Sequence, residues 1–229
     1  MSTSGRGALI VFEGGEGSGK STQLRLLSRE LEQRSVSHVC LREPGGTPLG
    51  SEVRRLLLDR SSDIEPRAEA LLFMASRAQL VEREVRPALA RGDVVLLDRF
   101  FLSTYAYQIA GHGLPDDDVR AANRFATGGL SPDLTLLFTY PVQAGLARAA
   151  RRPTAHDRME AMGEGFHRRV SDAFGTFSDA AWQAQHPECG PIVSIDAEGT
   201  EEQVMVRVRA ALRARWPGTF ASIGGGTDA

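Results

Sequence analysis

Directly behind a short apolar run, Ala8-Leu-Ile-Val-Phe12, the chain reads Gly14-Gly15-Glu16-Gly17-Ser18-Gly19-Lys20-Ser21, with Thr22 next. Glycines at these intervals permit backbone conformations that turn successive N–H groups toward one centre, and a helix starting here adds its positive end. Such a loop cradles a polyphosphate: the Lys20 ammonium reaches the terminal phosphates and the Ser21 hydroxyl is placed to bind Mg²⁺. With glycine at about 7% of average usage, a chance match in a chain of this size is on the order of one per cent. Of the 27 basic residues all but one are arginine, and the single lysine is Lys20. A compact ammonium on a flexible stem is not interchangeable with a guanidinium in a tight phosphate site.

Other residues bear on what is done at such a loop. Asp98 closes the apolar run that begins at Asp93, where a strand-end carboxylate can hold Mg²⁺ through water, and Arg99 can present a guanidinium to the phosphates; a surface ion pair is the plainer alternative. Glu16 is electrostatically wrong for a triphosphate alone, so a hydroxyl or amine of a second substrate is its natural partner, unless it points into solvent. Phe73 and Arg77 sit one helical turn apart, about 120° from the centre of an apolar stripe, where they could stack a planar ring and hydrogen-bond its edge. Burial of the helix on a second side through Leu72 and Leu80 would instead make Phe73 core. Arg148, Arg151, Arg152 and Arg158 cluster around Pro153 in a segment that reads as a lid over the phosphates; a solvated basic face is the alternative. Asp157 and Glu160 have the spacing of a helix cap and its third residue, and Asp116-Asp117-Asp118 reads as a helix start rather than a metal site. A guanine-reading N-K-x-D element needs a second lysine, so a switch GTPase is disfavoured.

These groups need a scaffold. The length of 229 residues suits one α/β core, and 41% hydrophobic with 24% charged residues argues against disorder or a disulfide scaffold. A net charge of −2 offers no global field for nucleic acid or an anionic membrane. Two cysteines, Cys40 and Cys189, fit a reducing cytoplasm, and both read as structural. The opening residues carry no apolar leader, and no run approaches the roughly 18 residues of a membrane span. Apolar runs at 8–12, 38–41, 93–98, 134–138 and 191–195 alternate with helical patterns at 21–33, 51–58, 65–91 and 201–215. The long third pattern carries a stripe at Leu71, Met74, Ala78, Val81, Val85 and Leu89. This alternation predicts a doubly wound, five-stranded parallel α/β sheet with ligands at the carboxyl ends of its strands. We expect one domain over 8–216, a lid near 148–160, and flexible ends at 1–7 and 217–229.

Taken together, the residues resemble the bacterial thymidylate kinases from about Leu9 to Arg215. The marks are Phe12-Glu-Gly-Gly-Glu-Gly-Ser-Gly-Lys-Ser21, Arg42-Glu-Pro-Gly-Gly-Thr47, Leu72-Phe-Met-Ala-Ser-Arg77, Asp98-Arg-Phe-Phe-Leu-Ser-Thr-Tyr-Ala-Tyr-Gln108, Pro132-Asp-Leu-Thr135 and the lid arginines. The resemblance implies a nucleoside monophosphate kinase fold, transfer of the γ-phosphoryl group of ATP to dTMP with Mg²⁺, and a homodimer. It implies an acceptor site in which Phe73 stacks on thymine, Arg77 bonds its exocyclic oxygen, and Thr104 and Gln108 approach the base edge. Tyr107 would crowd the ribose 2′ position, Glu16 would meet the 3′-hydroxyl, and Arg42, Arg54 and Arg99 would hold the acceptor phosphate beside Glu43, Pro44 and Ser103. The lid arginines would supply a cation that the phosphate loop lacks. Two departures from the family pattern stand out: Phe100 where Tyr or His is common, and Thr139 where Asp is common. A kinase of another nucleotide or nucleoside, or a regulatory protein that binds ATP through the same loop, are the alternatives.

Overall fold

Five strands carry the molecule, and their side chains alternate between two apolar faces. The computed structural model describes residues 7–141, 144, 145, 148, 157–218 and 220. The flexible ends expected from the sequence, the lid residues Arg151 and Arg152, and Pro153 lie largely or wholly outside them. The strands β1 (Leu9–Gly14), β2 (His38–Arg42), β3 (Val94–Asp98), β4 (Leu134–Thr139) and β5 (Ile192–Asp196) are all parallel, in the order β2-β3-β1-β4-β5. Leu9, Val11, Val95, Leu97 and Leu137 face one core layer, whereas Ile10, Phe12, Leu96, Leu136 and Phe138 face the other. That is the period-two consequence of a pleated strand buried on both sides.

Helices α1 (Lys20–Gln33) and, at the end of the chain, Glu201–Arg215 cover the second face, with Leu24, Leu27, Leu31, Val204, Met205, Val208 and Leu212 buried. The last helix begins with a capping box in which Thr200 and Gln203 satisfy each other's backbone N–H groups. On the first face lie α2 (Pro48–Leu58), α3 (Pro66–Leu80), α4 (Arg86–Ala90), α5 (Phe101–Thr104), α6 (Asp116–Thr127) and α7 (Glu164–Thr176). Among the described residues no helix is long and apolar enough to cross a membrane.

The structure corrects four sequence expectations. The 65–91 pattern is not one α-helix: Val81–Val85 is a π segment in which the Arg86 N–H reaches the Val81 carbonyl. Pro87 has no N–H to give to the preceding turn and its ring crowds that turn's carbonyl, so the bonding pattern slips there. Leu71, assigned to the apolar stripe, is 63% exposed, although Met74, Val81, Val85 and Leu89 are buried as expected. Asp157 does accept from the Glu160 N–H (2.9 Å), but the bond closes an isolated turn, and the next helix starts only at Glu164. Cys40 is an exposed thiol on edge strand β2, unlike buried Cys189.

The last helix gives a direct test of this packing. Leu212→Ala should lower urea stability by about 2–5 kcal/mol, because Leu212 is fully buried. Val206→Ala, on the solvent side of the same helix at 55% exposure, should stay within about 0.5 kcal/mol of the wild type.

Candidate active site

The loops after β1 and β3, neighbours at the carboxyl edge of the sheet, open one cleft, as expected where strand order reverses. The loop after β1 requires glycine by geometry: Gly17 (φ 69°) and Gly19 (φ 84°) are left-handed, and a Cβ on Gly17 would stand 2.0 Å from the Gly145 carbonyl oxygen. Gly19 caps α1, whose N-terminus carries Lys20, Ser21 and Thr22 to the cleft. Lys20 is buried, with Nζ donating to the Gly15 carbonyl (2.8 Å) and reaching Ser18 Oγ (3.4 Å). Burial, and then the neighbouring Arg99 charge, push its pKa down to about 8, despite Glu16, Asp98 and Glu13. The ammonium is thus under-compensated where the sequence places a polyphosphate. Ser21 Oγ donates to Asp98 Oδ2 at 2.6 Å, bringing the two expected metal ligands together.

Arg99 follows β3 in a left-handed backbone conformation (φ 72°), costly for a residue with a side chain. Its N–H donates to the Phe12 carbonyl (3.0 Å), and its guanidinium donates to Glu16 Oε1 (2.6 Å) and Ser103 Oγ (3.0 Å) while lying over the Tyr107 ring. Burial disfavours its charge, but Tyr107, Glu16, Asp98 and Glu13 outweigh that and raise its pKa. The Tyr107 hydroxyl also donates to Glu16 Oε1 (3.0 Å), and burial and that carboxylate raise the phenol's pKa. Glu16 therefore has intramolecular donors in this structure, where the sequence suggested a second substrate.

The turn that aims Arg99 depends on a residue the sequence analysis did not single out. Glu13, fully buried on β1, accepts from the Phe100 N–H (2.6 Å) and Ser103 N–H (3.1 Å) through Oε1, and from the Ser103 hydroxyl (2.7 Å) through Oε2. It thus satisfies the start of α5, and the π segment Tyr105–Gly111 that follows presents Tyr107 and Gln108. A carboxylate within an otherwise apolar strand run was the available signal.

The same cleft is lined by Arg42 at the end of β2 and Arg54 on α2, whose NH1 donates to the Pro44 carbonyl (3.2 Å). Burial and the Arg42 and Arg99 charges lower the pKa of Arg54. Three guanidiniums crowded in this way call for an anion. Phe73 is half-buried and lines the same cleft, so it is not simply core. Arg77, 2% exposed, donates to Glu43 Oε1 (2.6 Å), to Asn123 Oδ1 and to the Phe100 carbonyl (2.8 Å), and lies over the Phe100 ring. Among the described residues three of its five N–H groups have partners, and Arg77 lines the cleft. Pro44, Ser103, Thr104, Gln108, Asp157 and Met159 also line it.

The two described lid arginines diverge. Arg148 lies over Tyr140, donating to its hydroxyl (2.7 Å) and reaching the Gly17 carbonyl (3.4 Å) at the phosphate-loop rim. Arg158 instead donates to the Leu57 carbonyl (2.9 Å) and to the buried carboxylate of Glu69, which needs a cation more than solvent does. Of the two family departures, Phe100 is buried beneath Arg77, and the Thr139 hydroxyl donates to the Ile195 carbonyl (3.3 Å).

Two consequences can be measured. Glu13→Ala should cost about 3 kcal/mol, because buried donors at the head of α5 lose their acceptor. Burial pushes Glu43 from 4.5 up to about 6, against the pull of Arg77. A carboxyl raised on folding lends stability below its unfolded pKa that is lost as pH rises through the folded one. Between pH 4.5 and 7 the wild type should therefore lose on the order of 2 kcal/mol relative to Glu43→Gln in urea denaturation, and parallel pH profiles would contradict this.

The sequence model of one family, described as thymidylate kinase, matches residues 12–205. Proteins named thymidylate kinase are 47% identical over 204 residues in Gloeobacter violaceus (89% of this chain, 93% of the relative), and 45% over 209 residues in Ectopseudomonas mendocina (90% and 95%). In a Synechococcus strain the identity is 44% over 208 residues (91% and 95%). With the phosphate loop, the strand-end Asp98-Arg99 pair and the arginine-lined wall on one sheet edge, the chain belongs to the thymidylate kinase family.

Proposed function

We propose that the protein transfers the γ-phosphoryl group of ATP to the 5′-phosphate of dTMP, giving dTDP and ADP. The observation that carries this reading is a second group of cations: Arg42, Arg54 and Arg99 line the same cleft as the phosphate loop with Lys20, and the Arg42 and Arg99 charges lower the Arg54 pKa. One polyphosphate site beside one phosphate site is what an in-line transfer between two nucleotides needs.

In this mechanism the amides at 14–19 and Lys20 hold the β- and γ-phosphates of ATP. Arg99, braced by Glu16 and Ser103, sets the dTMP phosphate against the γ-phosphorus with Arg42 and Arg54. A phosphate oxygen of dTMP forms the new O–P bond as the β–γ bridging O–P bond breaks, and ADP leaves with that electron pair. No general base is needed, since the acceptor phosphate is already largely ionised at neutral pH. Phe73 and Arg77 take the base, Thr104 and Gln108 line its edge, and Tyr107 with Glu16 faces the sugar. Arg148, with Arg151 and Arg152, neutralises charge on the transferring group.

Mg²⁺ fits the residues present: the Ser21 hydroxyl and the Asp98 carboxylate are hard oxygen donors already in contact, and this ion takes few protein ligands beside water and phosphate. Bound there, it would screen the phosphate charge. We further propose a homodimer, supported by Leu71 on α3 and Phe125 on α6, 63% and 90% exposed on two helices that pack together. A cytoplasmic location accords with the exposed thiol of Cys40.

The test is a coupled ADP-release assay across dTMP, dUMP, dCMP and thymidine. dTMP should give the highest kcat/KM and thymidine, which brings no phosphate, should be inert; Lys20→Ala and Arg99→Ala should each cost about 10³-fold or more with the fold retained. Near-normal rates in either variant, or ATP hydrolysis indifferent to dTMP, would contradict the proposal.

A further inference from the structure

Glu69, near the start of α3, is fully buried, and the mechanism above makes no use of it. Three side chains from two segments converge on its carboxylate: Gln108 Nε2 (2.9 Å) and, at the C-cap of the same π segment, His112 Nε2 (3.0 Å) donate to Oε1, and Arg158 donates to Oε2. Burial pushes this carboxyl up, but the three donors outweigh it and hold it below its ordinary value. An ionised carboxylate accepts and cannot donate. Gln108, only 2% exposed, must therefore turn its NH₂ toward Glu69, which leaves the carbonyl Oε1 for the cleft it lines beside Phe73, Arg77 and Thr104.

We infer that Glu69 is a positioning residue for base selection: by holding Gln108 Nε2 it fixes the side-chain amide with its carbonyl oxygen toward the acceptor base. This deepens, and rests on, the reading of the cleft as a dTMP site. A fixed acceptor beside the donors of Arg77 suits a pyrimidine that offers a ring N–H next to an exocyclic oxygen, as thymine and uracil do. Cytosine has the reverse pattern: its ring nitrogen would face the Gln108 oxygen, and its amino group would face the guanidinium. Buried polar groups left mispaired in this way are the strongest source of rejection a binding site has. Without the carboxylate, the Gln108 amide could rotate by half a turn and accommodate either pattern.

The experiment measures kcat/KM for dTMP and dCMP in the unsubstituted protein, Glu69→Gln, Gln108→Ala and the double variant. A glutamine at 69 both donates and accepts, so it frees the orientation of Gln108 at nearly constant volume. The dTMP-to-dCMP ratio should fall tenfold or more in Glu69→Gln, chiefly through KM for dTMP, with KM for ATP within twofold. Gln108→Ala should lower the ratio too, and adding Glu69→Gln to it should change the ratio no further. A ratio unchanged in folded Glu69→Gln, or lowered by the same factor in both backgrounds, overturns the inference. Should Glu69→Gln not fold, the unsubstituted protein with ¹⁵N-labelled glutamine decides: slow exchange of the Gln108 side-chain amide protons, with no nuclear Overhauser effect to bound dTMP, supports it, and contact of those protons with the base overturns it. If the unsubstituted protein does not phosphorylate dTMP, the functional reading falls and this inference with it. If it does, and selectivity ignores Glu69, the inference alone falls.

Discussion

A guanidinium that must meet an incoming phosphate cannot be left to wander on a long side chain, because each immobilised rotor costs free energy at the moment of binding. In this protein that cost is met during folding. Arg99 is fixed from below by its backbone bond to Phe12 and from above by Glu16, Ser103 and the face of Tyr107. The left-handed backbone at this one residue persists because the sheet, Glu13 and the phosphate loop all constrain it. In the proposed reading, the acceptor site is built outward from that fixed charge.

Charge balance explains why the arrangement is stable without ligand and receptive to one. Glu16 and Asp98 offset Lys20 and Arg99, yet Lys20 remains depressed and Arg54 is lowered by its cationic neighbours. The cleft is thus short of negative charge where phosphates would sit, whereas Arg77, where the base would sit, is balanced by the Glu43 carboxylate and hydrogen-bonded to Asn123. The two halves ask for different chemistry, which is how one cleft orients a nucleotide end to end.

Much of this was legible in the sequence. The strand pattern placed all five strands to within about two residues; the central strands β1, β3 and β4 are buried on both faces and read as apolar runs. The phosphate loop, Asp98 and Arg99 were legible because glycine spacing and a strand-terminal carboxylate are local signals. The rest depends on contacts across the chain. That Glu13 braces the turn at 98–103, that Glu69 gathers donors from two distant segments, and that Arg158 serves Glu69 all pair residues many positions apart. The slip to a π segment at Val81–Val85 did have a local cause, Pro87, which the apolar periodicity masked. Leu71 followed the periodicity and still faces outward, because period reports a helical face and not what covers it.

Two cationic clusters share one edge of the sheet, and titration calorimetry of the purified protein addresses both. Saturable binding of Mg²⁺-ATP is expected, with separate saturable binding of dTMP at least tenfold tighter than that of thymidine, since in the proposed reading Arg99, Arg42 and Arg54 receive the phosphate. A protein that takes up Mg²⁺-ATP but ignores dTMP at millimolar concentration, or binds thymidine equally well, would contradict it.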